Sequence, residues 1–292
     1  MRIASLLPSA TEIVCALGLA DSLVGVSHEC DYPADVVVDL PRLTRSAIPH
    51  GLSQAEIDRD ISARLHRGES LYLLEEETLR TLQPDLLISQ ELCDVCAVSY
   101  DDVCNISRRL PGNPPVISLT PSNLLGIFDD VHTVARATGT TERGERLVAR
   151  LQSGLAKVQT KVVGRTRPRV FALEWLDPPF AAGHWVPEMI DLAGGVEVLG
   201  RTGEKSFRVS WEDIAAQQPE ILLLIPCGFS QAETLAQWES LPKPAVWDQI
   251  PAAQTGRVYA FDANSYCSRP APRVVEGVEQ LARIFHPDAG WE

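Results

Sequence analysis

Seven short apolar runs, separated by stretches with helical periodicity, constrain this chain more than any other feature. They are Ile3–Leu7, Leu23–Val26, Leu86–Ser89, Val116–Leu119, Val170–Leu173, Ile221–Ile225 and Val258–Phe261. They are rich in Leu, Ile and Val and lack the apolar–polar alternation of a strand with one wet face. Strands of this kind are buried on both faces, as in parallel sheets covered by crossover helices. The pattern predicts an α/β fold.

Two internal echoes divide the chain. Leu82-Gln-Pro-Asp-Leu-Leu-Ile88 resembles Gln218-Pro-Glu-Ile-Leu-Leu-Leu224: a helix end, a Pro stop, an acidic residue and a buried strand. More loosely, Thr11–Gly18 follows the first strand as Pro187–Gly194 follows Val170–Leu173. Two Rossmann-like lobes with mainly parallel sheets explain both echoes, one over residues 1–121 and one over 165–292. Residues 122–164 read as a helical linker. From Glu142 to Val163, apolar residues at Leu147, Val148, Leu151, Leu155 and Val158 keep close to helical period. One long helix there is a stiff spacer, which predicts a small hinge rather than a wide swing.

At 292 residues, with 45% hydrophobic and 22% charged residues, the chain is globular in composition. The formal net charge of −13 opposes binding to nucleic acid or to an anionic membrane surface. No apolar run reaches the ~18 residues of a membrane span. Near the N-terminus, Pro8, Ser9, Thr11 and Glu12 interrupt what would be the apolar core of a secretory signal. The segment reads instead as a strand, a capping box at Ser9–Glu12 and a helix to Leu17, stopped by Gly18. That predicts a cytoplasmic protein; a chain processed by removal of a leader would read the same and be periplasmic or extracellular. Seven cysteines, an odd number, with two in Cys93-Asp-Val-Cys96, fit a reducing compartment and metal or redox chemistry.

In parallel α/β sheets ligands bind beyond the carboxyl ends of the strands. The residues that follow the predicted strands are chemically unusual. Ser9 follows the first, and His28, Glu29, Cys30, Asp31 and Tyr32 the second. Glu91, Cys93 and Cys96 follow Leu86–Ser89. Glu174, Trp175, Asp177, His184 and Trp185 follow Val170–Leu173. Cys227 and Phe229 follow Ile221–Ile225, and Asn264, Tyr266 and Arg269 follow Val258–Phe261. If the lobes face one another, this chemistry lines one cleft. The aromatic residues suit a flat, partly apolar ligand such as a corrin or porphyrin ring. The alternative is that they are core. Asp31, Glu91, Glu174 and Asp177 accept hydrogen bonds from ligand amides or cap the following helices. His28 and His184 are candidate ligands to a metal carried by such a ring, or hydrogen-bonded loop residues. Arg269 meets a ligand phosphate or carboxylate, or pairs with an acid. Cys30, Cys93, Cys96 and Cys227 form a candidate thiolate set for zinc or an iron–sulfur cluster, against the alternative of buried thiols acting as small hydrophobes. No nucleophile elbow, Walker A loop or dinucleotide fingerprint is present, so the expectation is a binding protein and not an enzyme.

The sequence also resembles a known family over nearly its whole length. The match runs from Ile3-Ala-Ser-Leu-Leu-Pro-Ser-Ala-Thr-Glu12 through Leu23-Val-Gly-Val26 and Leu82–Ile88. It continues in the helical linker, Gly194-Gly195, Val209-Ser-Trp-Glu212 and Gly256-Arg-Val-Tyr259. It is similar to the helical-backbone (class III) substrate-binding proteins of ABC importers, of the cobalamin- and iron-siderophore-binding type, and most to the vitamin B12-binding branch. The resemblance implies a monomer that binds a cobalamin-like corrinoid between its lobes, with iron-siderophore or haem as alternatives. It also implies docking onto permease arginines through one Glu on each lobe, which by motif position are Glu77 and Glu212. A cytoplasmic metal- or cluster-binding protein is the reading outside that class.

Overall fold

The computed structural model describes residues 1–49, 51–67, 69–91 and 98–291. The chain forms two compact units. The first comprises Met1–Leu52, Glu56–Pro121 and Leu125–Ala149, the second Ser53–Ala55, Ser122–Leu124 and Arg150–Glu292. The helix Thr141–Val162 begins in the first and ends in the second.

The first unit contains β1 (Ile3–Ser5), β2 (Leu23–Val26), β3 (Thr44–Ser46), β4 (Tyr72–Leu74), β5 (Leu86–Ser89) and β6 (Val116–Ser118). Four of these make a parallel sheet in the order β2-β1-β5-β6, and β3 and β4 form a separate antiparallel pair. Ala4 and Leu87 of the central strands are fully buried with Leu6, Leu43, Leu79 and Val103. Gly25 lets Leu43 approach β2, since a Cβ there would lie 2.8 Å from Leu43 Cδ2.

The second unit contains β7 (Arg169–Leu176), β8 (Pro179–Ala181), β9 (Val196–Glu197), β10 (Phe207–Arg208), β11 (Ile221–Leu224) and β12 (Val258–Ala260). The sheet order is β10-β8-β7-β11-β12. Strands β7, β11 and β12 are parallel, whereas β8 returns antiparallel on β7 and β10 antiparallel on β8. Strand β7 changes partner along its length: Arg169 and Val170 pair with β9, and Leu173 to Leu176 with β8. At the change, Glu197 Oε2 accepts the N–H of Ala172 at 3.1 Å. Its Oε1 accepts the N–H groups of Val198, Leu199 and Gly200 at 3.0–3.1 Å. One carboxylate thus satisfies the backbone donors of the fork, groups that a fold must pair.

The sequence echo has a physical basis. In the first unit the helix Glu76–Leu82 ends on Gln83 at φ 44°, and Asp85 Oδ2 accepts the Arg2 N–H at 2.7 Å. The Arg2 guanidinium donates to the helix-terminal Leu82 carbonyl at 2.7 and 2.9 Å. In the second unit Gln218 has φ 50°, Glu220 Oε2 accepts the Arg169 N–H at 2.8 Å, and the Arg169 guanidinium donates to Gln217 O at 2.6 and 3.0 Å. Each clip ties the start of one strand to the preceding helix end and the start of its neighbour. The motif is therefore Arg…Pro-acid, and the arginine half lies about fifty to eighty residues upstream of its partner.

All seven anticipated strands are present. Ile3–Leu7 is shorter than expected, because Pro8 already occupies the first helical position of Pro8–Ala16. The capping box expected at Ser9–Glu12 is corrected by the same fact. The N-cap is Leu7, with no side-chain bond, and Ser9, Thr11 and Glu12 are buried within the helix. Strands β3, β4, β8, β9 and β10 were not anticipated; each is only two or three residues long. No described helix is long and apolar enough to cross a membrane.

Candidate functional site

In the first unit the carboxyl ends of β1 and β2 carry a connected polar network. Ser5 Oγ donates to Leu7 O at 3.0 Å and accepts from Thr11 Oγ1 at 2.8 Å. Thr11 Oγ1 lies 3.1 Å from Cys30 Sγ. Thr44 Oγ1 donates to Ser27 Oγ at 3.1 Å and receives the His28 N–H at 3.1 Å, with His28 Nδ1 at 2.7 Å. His28 Nε2 lies 3.1 Å from Glu29 Oε1, and its ring centroid 5.6 Å from that of Tyr72. His28 and Cys30 are thus built into the loop. Ser9 is buried. Glu29, Asp31, Tyr32 and Glu91 are exposed. Cys93 and Cys96 lie outside the described residues.

In the second unit the sequence after Leu173 folds as a hairpin that displays its side chains. Trp175, on β7, meets Phe229 edge to face at 5.8 Å between centroids. Its Nε1–H donates to Gln54 O at 3.3 Å, and Gln54 Oε1 accepts the Leu176 N–H at 2.7 Å. The buried Gln54, a residue without any sequence signal, therefore fixes Trp175. Glu174 accepts from Ser206 Oγ at 2.6 Å and from the Gly183 N–H at 3.4 Å. Asp177 is exposed at the hairpin tip. Asn264 donates its N–H to Phe229 O at 3.1 Å, joining the loops after β11 and β12. Tyr266 packs on Phe261 at 5.9 Å, and Arg273 sits over its ring.

His184 has the left-handed backbone φ of 52°. Its N–H donates to Glu204 O at 2.7 Å, and its carbonyl accepts the Gly203 N–H at 2.9 Å. Gly183 must be glycine, because a Cβ would lie 2.3 Å from Glu204 O. Burial, and secondarily Lys205, pushes the His184 pKa down, so the imidazole is neutral at pH 7. Two aromatic or charged candidates are instead buried. Trp185 is 6% exposed and donates Nε1–H to Cys267 O at 2.8 Å; Arg269 is also 6% exposed. Cys227 is partly buried. Among the described residues no group of three or more His, Cys, Asp or Glu side chains is placed to hold a metal ion.

Glu77 and Glu212 are exposed, each in the first turn of a short helix. That of Glu212 opens on a reciprocal Ser210–Asp213 capping box.

Two α/β units sharing one helix, with polar and aromatic side chains gathered on strand-end loops, define a solute-binding protein. The chain belongs to the periplasmic binding protein family, whose profile matches residues 3–265. The vitamin B12-binding protein of Vibrio cholerae is 24% identical over 96% of this chain and 87% of its own length. The periplasmic haem-binding protein RhuT of Roseiflexus has a TM-score of 0.73 at 25% identity, covering 99% of this chain and 98% of that one. The periplasmic vitamin B12-binding protein BtuF of Vibrio cholerae has a TM-score of 0.70 at 24% identity, covering 99% and 98%. The anticipated class is therefore right: a class III substrate-binding protein of the ABC-transporter type. These relatives are binding proteins, not enzymes. The cytoplasmic placement drawn from the N-terminal sequence is corrected, because the family and these neighbours are periplasmic binding proteins. The interrupted apolar run that argued against export is the first strand and helix of the fold.

Proposed function

We propose that this protein binds a cobalamin-type corrinoid and presents it to an ABC permease. The observation that carries the reading is the aromatic pair Trp175–Phe229, held at strand ends with its indole N–H already bonded, so that what it offers is ring surface. The similarity to vitamin B12-binding proteins over almost the full chain supports the same ligand class. In this reading Trp175 and Phe229 pack against the flat ring, with exposed Tyr32 a further aromatic contact. Glu29, Asp31, Glu91 and Asp177 accept hydrogen bonds from corrin amides, Asn264 and Tyr266 add polar contacts, and Glu174 is oriented by Ser206. The neutral imidazole of His184 is suited to the cobalt. Glu77 and Glu212 would meet permease arginines.

Anaerobic ultraviolet–visible spectra, taken after hydroxocobalamin is added and excess removed by gel filtration, test this. Retained corrin bands support the reading, and a shifted spectrum locates a protein ligand on the cobalt. Loss of the corrin on the column rejects it. A haem ligand is the second reading, favoured by the likeness to the Roseiflexus haem-binding protein; retained haemin with no retained corrin would select it.

A further inference from the structure

The carboxyl edge of the β2-β1-β5-β6 sheet is polar along its length, but its two halves differ. Ser5 ends β1, Ser27 follows β2, Ser89 ends β5 and Ser118 ends β6. On the β2–β1 half the hydroxyls are satisfied inside the unit, Ser5 by Leu7 and Thr11 and Ser27 by Thr44. On the β5–β6 half they are not. Among the described residues, Ser89 Oγ, Gln90 Nε2 and Ser118 Oγ are buried without a hydrogen-bond partner. Asp130 Oδ2, on the next helix Leu124–Ala137, is in the same state, although its carboxyl accepts the Thr120 N–H. Ser89 is fully buried, and Gln90 and Asp130 are 8% and 7% exposed. Ser89 and Ser118 are register partners, so they share one face, and Gln90 is the next residue. Buried polar atoms without partners are rare in a fold, and four on one half of one edge call for partners other than the described residues, a ligand group or a water. Such local violations gather at functional sites.

We infer that the β5–β6 half of this edge is a recognition subsite of the first unit, in which Gln90 donates to acceptor groups of the ligand, amide carbonyls or carboxylates. Ser89, Ser118 and Asp130 lie on the same half and supply polar partners for a water that bridges to the bound ligand. The inference rests on the ligand-binding reading above and adds which ligand groups are recognised and by what. None of these four residues stood among the candidates read from sequence, because Ser and Gln at a strand end carry no motif.

Two measurements test it. The first needs no ligand: thermal unfolding of Ser89→Ala and Ser118→Ala beside Ser5→Ala. Removing a satisfied hydroxyl should lower the Tm, whereas removing an unsatisfied one should leave it unchanged or raise it. A drop in Ser89→Ala or Ser118→Ala equal to that in Ser5→Ala would overturn the inference and make these hydroxyls structural. The second compares wild type with Gln90→Glu, which puts an acceptor where the donor was, against hydroxocobalamin, haemin and a ferric hydroxamate chelate. On whichever probe the wild type retains, Gln90→Glu should bind at least about tenfold more weakly while still unfolding cooperatively, the scale of one charge-opposed hydrogen bond. An affinity within about twofold overturns the inference. A wild type that retains none of the probes defeats the ligand reading, while the unfolding comparison still decides the subsite.

Discussion

Glu197 shows how one residue can hold a fork in a sheet. Burial pushes its pKa up to about 7, against the lowering effect of four backbone N–H groups. Asp130 is likewise pushed up to about 7 by burial. In the unfolded chain both titrate as ordinary carboxyls, so between about pH 4.5 and 7 the folded protein binds more protons than the unfolded one. Stability contributed by these groups is therefore full at low pH and lost as pH rises through 7. Urea unfolding at pH 5 and pH 7.5 should show a falling ΔG with rising pH, and Asp130→Asn should flatten that fall; an unchanged slope would show that Asp130 does not titrate in this window. Trp175 gives the matching prediction for binding. Trp175→Ala should weaken corrinoid binding about tenfold or more, since a stacked aromatic contact contributes roughly 0.5–1.5 kcal/mol beyond its area. Trp175→Phe should retain most of the affinity. Equal affinities for all three proteins by fluorescence titration would remove Trp175 from the site.

The helix Thr141–Val162 is the element that both units share, and two glycines fit it to its neighbours. A Cβ on Gly144 would lie 2.6 Å from Ala135 Cβ in the first unit. One on Gly154 would lie 2.7 Å from Val275 Cγ1 in the second. Glycine costs a helix interior roughly 1 kcal/mol against alanine, so an exposed glycine replaced by alanine would stabilise. At Gly154 the sign reverses. Gly154→Ala should destabilise by about 1–3 kcal/mol through overpacking, measured by denaturant unfolding, and a stabilised variant would show that the two helices can separate at no cost. Gly194-Gly195 works in the same way. Cβ atoms there would lie 2.4 Å from His286 Nε2 and 2.8 Å from Phe285 Cε2, so the glycine pair admits the C-terminal helix Val274–Phe285 and the residue after it.

For the whole molecule, the helix Thr141–Val162 runs unbroken across the boundary between the two units. Arg150→Pro, at the first residue of the helix assigned to the second unit, should cost about 3 kcal/mol or more, because proline removes a helical hydrogen bond and clashes with the preceding turn. Calorimetry checks this by the drop in Tm. Ligand should act in the opposite direction. At a hundredfold excess over Kd, a corrinoid that binds the folded state alone should add roughly 2.7 kcal/mol, read as a rise in Tm. No rise at saturating hydroxocobalamin would agree with a failed column assay and reject the ligand.

The sequence by itself determined the α/β class, the seven parallel strands and the long linking helix, because these depend on local hydrophobic period and on Pro and Gly stops. The family resemblance was legible for the same reason, since its motifs are strand ends and helix ends. Tertiary structure decided what each strand-end side chain does. Trp175 and Trp185 look alike in sequence, yet Gln54 holds Trp175 partly exposed at the edge while Cys267 O takes the N–H of a buried Trp185. The acidic half of each Arg clip was visible beside its proline, but the arginine lies too far upstream for any local pattern to join them. Short strands such as β9 exist only because β7 is there to pair with them. Hydrogen bonds between distant residues leave no period in the chain, so the fold was readable from the sequence and the fate of its polar groups was not.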